Sequence, residues 1–122
     1  MRGALVAHQE LSPESVETRI SEGVVQIYLD TFGKGPLHAT TFINGDVITT
    51  LLRDVFTPAE KWMVDQGKIE SVLTTRMHWQ RVTDSRFRAE VADTTGRQVI
   101  SAISGLDAER DLASEVFVLE PS

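Results

Sequence analysis

Apolar residues recur at three- and four-residue spacing through Val16, Ile20, Val24 and Ile27 to Thr31, the period of a helix with one face turned toward a core. Ser12 and Pro13, just ahead, have the chemistry of an N-cap and a first helical residue, and Gly33 that of a stop. Gly23 falls on the edge of the stripe, where a missing side chain lets another element come close. From Leu37 to Leu52 the residues turn β-branched, and Asn44-Gly45 between two such runs predicts a hairpin closed by a type I′ turn. One face then carries Leu37, Ala39, Thr41, Ile43, Ile48, Thr50 and Leu52. The other carries His38, Thr40, Phe42, Val47, Thr49 and Leu51, with His38 opposite Leu51. Both faces are substantially apolar, whereas a hairpin with one wet face alternates more cleanly. Helices are therefore expected on one face and a second subunit on part of the other, which makes a homodimer the expected assembly.

Thr57-Pro58-Ala59-Glu60 reads as a capping box with proline at the first helical position, opening a short helix that stops at Gly67. A longer helix is predicted over Lys68 to Thr95, kinked around Thr83 to Ser85, with Ile69, Val72, Leu73, Trp79, Phe87 and Val91 buried and Gly96 as its stop. Two further strands, Val99 to Ser104 and Ala113 to Leu119, flank an acidic loop from Gly105 to Leu112. Asp30-Thr31-Phe32-Gly33 and Asp93-Thr94-Thr95-Gly96 each close a helix ahead of a hairpin, an internal echo. The predicted fold is α+β, in the order α-β-β-α-α-β-β: a four-stranded antiparallel sheet with helices packed on one face. Residues 12–120 form a single domain in this reading, and residues 1–11 a flexible N-terminal segment.

Composition narrows the function classes. The chain has 18 acidic against 12 basic residues and a net charge of −6, which opposes binding to phosphate backbones and argues against nucleic acid as a partner. With no cysteine, disulfides, thiolate zinc sites and cysteine nucleophiles are all excluded. Neither a signal-peptide core nor an apolar run long enough to span a bilayer is legible, so a cytoplasmic location, peripheral at most to the inner face of the membrane, is expected.

Candidate chemistry is sparse. His8, His38 and His78 lie far apart, without the i, i+4 spacing that sets two ligands on one helix face. Asp107, Glu109 and Asp111 alternate like the first ligands of a calcium loop, but Leu112 stands where the sharp-turn glycine belongs. No metal site and no cofactor follow. Arg76, Arg81, Arg86 and Arg88 make the long helix locally basic among Glu70, Asp84 and Glu90, the pattern of a solvated, internally paired face. No G-x-S-x-G elbow and no nucleophile with a nearby histidine–acid pattern is present, so no catalytic residue is assigned and a non-enzyme is favoured.

Gly35-Pro36, the strand ending Phe42-Ile43-Asn44-Gly45-Asp46, then Leu51-Leu52, Phe56-Thr57-Pro58-Ala59-Glu60, Arg76 and Thr95-Gly96-Arg97-Gln98-Val99 resemble the bacterial MpsC-like family, a domain of unknown function. Phe56 stands where the family pattern leads one to expect leucine, a tolerable core exchange. The resemblance implies an accessory or regulatory companion of a sodium-translocating, membrane-potential-generating system associated with inorganic-carbon uptake, with a membrane transporter component as partner. It brings no enzyme activity with it. Gly35, Pro36, Asp46, Thr57, Glu60, Arg76 and Gly96 carry over as signature residues only. Asp46 and Arg76 have no evident duty in a turn or a helix, which leaves a second reading, a small-anion sensor or enzyme using Arg76 with His38 or Asp46. That reading requires the three candidate ligand-binding side chains, His38, Asp46 and Arg76, to converge in one pocket.

Overall fold

A computed structural model describes residues 15–121. The cap proposed at Ser12 and Pro13 and the segment 1–11 lie outside them. Helix α1 spans Val16–Phe32, and its N-cap is Ser15, whose Oγ accepts the Thr18 N–H at 3.1 Å. Strands β1 (His38–Asn44) and β2 (Val47–Arg53) form the first hairpin. Helix α2 (Pro58–Asp65) and helix α3 (Ile69–Thr95) follow, and β3 (Val99–Asp107) and β4 (Leu112–Leu119) form the second hairpin. The strands make one antiparallel sheet in the order β1-β2-β4-β3. The predicted α+β architecture and element order are those observed.

Setting β2 against β4 puts the two hairpins back to back, each preceded by a helix that ends on a left-handed glycine. Gly33 and Gly96 donate their N–H groups to Leu29 and Ala92 respectively, each four residues back. The two α-β-β units are thereby arranged about an approximate two-fold axis between the central strands.

Four local expectations are corrected. The first hairpin turns at Gly45-Asp46 rather than Asn44-Gly45: Asn44 pairs with Val47, and only Gly45 has positive φ, at 62°. Glycine first with a positive φ is the type II′ pattern, not I′. The pairing moves by two residues, so His38 faces Arg53 instead of Leu51, yet both faces keep their membership because side chains alternate with period two. Helix α3 runs through Thr83 to Ser85 without interruption. Thr83 Oγ1 donates to the Trp79 carbonyl at 2.7 Å and Arg88 pairs with Asp84, so both Thr83 and Asp84 are satisfied within the helix. Trp79 is 39% exposed, and Arg76, one turn earlier, is buried in its stead. Finally, β3 and β4 extend into the acidic loop and leave only residues 108–111 between them. There Asp111 is structural: its carboxylate accepts the N–H groups of Val55 and Phe56 at 2.7 and 3.1 Å, tying this loop to the one after β2.

The helices lie on one sheet face. Ile20, Val24 and Ile27 of α1 and Val72, Phe87 and Val91 of α3 close over Ala39, Ile48, Leu52, Ala113, Phe117 and Leu119. Tyr28 and Phe87 meet edge-on at 5.9 Å. The close approach expected at Gly23 is real: a Cβ there would fall 2.3 Å from the Glu90 side chain.

Candidate functional site

Among the described residues no helix lies over the opposite sheet face. Across the four strands run the in-register rows Phe42–Thr49–Val116–Ile103 and Thr40–Leu51–Ser114–Gly105. Phe42 and Ile103 are 56% and 58% exposed, and Val47 of the adjoining row is also exposed. Both central rows are free of charged side chains. At one end lies the row His38–Arg53–Leu112–Asp107, which carries charge of both signs. Where Gly105 contributes no side chain, a hollow of about 260 Å³ opens beside Leu51, Leu112 and Ser114. An apolar centre with charges at the margin is the composition of a protein–protein interface.

The helix-side face holds a buried polar row that strand alternation places in the middle of the core: Thr41–Thr50–Glu115–Ser104, one residue from each strand. Helix α1 bridges it from above. Ser21 bonds to Thr41 at 2.7 Å, and seven residues on, Tyr28 Oη donates to Glu115 Oε2 at 2.7 Å. Thr41 and Thr50 hydroxyls pair at 2.9 Å, and Ser104 Oγ donates to the other Glu115 oxygen. Glu115 is 3% exposed. Burial pushes its carboxyl up to about 7 against the pull of the Ser104 and Tyr28 hydrogen bonds, with Asp84 adding to the rise. Burial, and then the Glu115 charge, raises the Tyr28 phenol well above its ordinary range. Reading the sequence missed this carboxylate. Its signal was there, since Glu115 shares strand parity with the buried Ala113, Phe117 and Leu119.

The residues carrying the family resemblance turn out to be clamps. Thr57 and Glu60 form the reciprocal capping box, and Glu60 also takes a bidentate bond from Arg76 at 2.6 and 2.7 Å. Arg76 further donates to the Val55 carbonyl at 2.9 Å and stacks over the Phe32 ring at 3.6 Å. Its guanidinium thus joins α1, the loop after β2, α2 and α3. Burial raises the Glu60 carboxyl, but the bonds from Arg76 and the Thr57 N–H outweigh it and hold it below its ordinary value. Asp46 pairs with Arg97 at 2.5 Å, and Arg97 in turn donates to the Glu120 carbonyl, so the first turn is fastened to the start of β3 and the end of β4. Pro36 is fully buried, Gly35 lies against Val25, and Gly96 caps α3.

His38, Asp46 and Arg76 are not brought together. His38 and Asp46 sit at opposite ends of the first hairpin, roughly 25 Å apart at the rise of an extended strand. Arg76 is enclosed in the helix layer. Of the other arginines on α3, Arg86 pairs with Asp30 of α1 and Arg88 with Asp84. Among the described residues no group of three or more His, Asp or Glu side chains is gathered to hold a metal ion, and no helix is long and apolar enough to cross a membrane.

A family model described as "Na+-translocating membrane potential-generating system (MpsC)" matches residues 12–121, nearly the whole chain. The chain belongs to the MpsC family. The match covers every element from α1 to β4, so the MpsC unit comprises both α-β-β halves and the clamps between them. Neither the curated proteins nor the solved structures include a significant match to the chain.

Proposed function

We propose that this MpsC chain is a non-enzymatic accessory component of an ion-translocating, membrane-potential-generating system that also serves inorganic-carbon uptake, and that it works through protein contact on the open sheet face. The observation that carries this reading is the uncharged sheet surface with Phe42 and Ile103 exposed at its two edges, which the described helices leave bare. The occupant is first a second copy of the chain. The face offers exposed apolar side chains at both edges, Phe42 and Ile103, and a hollow at Gly105, features that a two-fold contact between copies can set against each other. Pairing two such faces buries the side chains that an isolated chain would expose, without setting like charges against each other at the centre. The dimer then acts from the cytoplasm at the inner face of the membrane on a transporter component.

The test compares the wild-type chain with Phe42→Asp and Ile103→Asp as baits on detergent-solubilised membranes. Wild type is expected to retain an integral-membrane component that both variants lose. If the variants retain it as well as the wild type does, the sheet face is not the contact surface.

A further inference from the structure

Between Arg76 and Phe87 no residue of α3 is buried. Beneath that stretch lies a cavity of about 20 Å³, with Tyr28, Thr31, Gln80, Thr83, Phe87 and Glu115 in its walls. It continues outward between α3 and the edge strand β3 as a groove of about 350 Å³ lined by Leu73, Met77 and Leu106 with Gln80 and Ser104. Arg76, Gln80 and Leu106 border both spaces, so the small chamber and the larger groove form one crevice.

At its floor stands Glu115. The carboxylate receives two hydroxyl donors, Tyr28 and Ser104, and has no ion-pair partner among the described residues. An ionised carboxylate offers about four acceptor positions and, when buried, favours a compensating cation. The cationic side chain in the chamber wall, Arg76, is paired with Glu60, which balances its charge, and also donates to the Val55 carbonyl. Asp84, paired with Arg88, and Arg81 border an adjoining part of the groove, so the charge there is balanced. A chamber of this size admits a group as large as one water molecule, which is also the size of an ammonium head.

We propose that this crevice binds a small organic monocation, a primary ammonium on a short unbranched apolar chain, with the ammonium against Glu115 and the chain along Leu73, Met77 and Leu106. An anion would meet the Glu115 charge, and a neutral chain would leave the carboxylate uncompensated. The site lies on the helix side of the sheet, so it stands or falls independently of the open face.

The experiment is an amide NMR titration of the full chain at pH 8 with n-butylammonium, and with butan-1-ol and butyrate as probes of the same length. Butylammonium is expected to shift the Gln80, Ser104 and Glu115 amides saturably, with butanol at least about tenfold weaker and butyrate without effect. Glu115→Gln should weaken butylammonium at least about tenfold. Met77→Arg, at an exposed position where the fold is not at risk, should weaken it too by placing a cation at the rim. Equal binding of butanol and butylammonium, or butylammonium binding unchanged in both variants, would overturn the proposal.

Discussion

Glu115 is the residue at which folding and titration are most tightly joined. Its folded value of about 7 lies above the ordinary 4.5. The group's contribution to stability is therefore complete below about pH 4.5 and lost as pH rises through 7, on the order of 3 kcal/mol in all. Glu60 and Asp54, held low by Arg76 and by Lys61, act in the opposite sense: their stabilisation exists above the ordinary carboxylate range and disappears as pH falls. Denaturant unfolding of the wild type should accordingly give lower stability at pH 8 than at pH 5, and Glu115→Gln should remove most of that difference. A variant that keeps the full slope would mean another group is responsible. Arg76 makes a separate prediction. Arg76→Met leaves the Glu60 carboxylate and the Val55 carbonyl without their partner and should cost about 3–5 kcal/mol. Arg76→Lys should recover only part, since an ammonium cannot reproduce the planar two-oxygen fork.

Among the elements, those specified by local chemistry were the most legible in the sequence. The Thr57–Glu60 capping box is formed as its spacing implies, and Thr57→Ala should lower thermal stability by about 1 kcal/mol through the lost cap. The glycine stops at Gly33 and Gly96 and the strand faces of the first hairpin could be read in the same way. The turn position could not, because Asn44-Gly45 and Gly45-Asp46 both suit a two-residue loop and both preserve the faces. What separates them lies outside the hairpin: with Gly45-Asp46 at the tip, the Asp46 carbonyl accepts the Leu119 N–H at 2.8 Å and its carboxylate reaches Arg97. Gly45→Ala, forced to hold φ at 62°, should destabilise by about 1 kcal/mol, whereas a tip at Asn44-Gly45 would demand positive φ at Asn44 as well. The candidate site was less legible than the fold for the same reason. Arg76 on an amphipathic helix looks like a solvated charge until α2 and Phe32 are placed beside it, and Glu115 looks like surface until α3 covers its strand.

At the scale of the whole molecule, the sheet has one face closed chiefly by α1 and α3 and, among the described residues, one left open. The closed side accounts for the core, the clamps and the crevice at Glu115. The open side, with Phe42, Val47 and Ile103 exposed around a charge-free centre, is where the account places the chain's partner, beginning with a second copy of itself. Sedimentation equilibrium of the wild-type chain beside Phe42→Asp tests this most directly. The expected wild-type mass is twice the 13.5 kDa of one chain, with the folded variant at the mass of a single chain. A wild-type protein that sediments as one chain at all accessible concentrations, or a variant that remains dimeric, would contradict it.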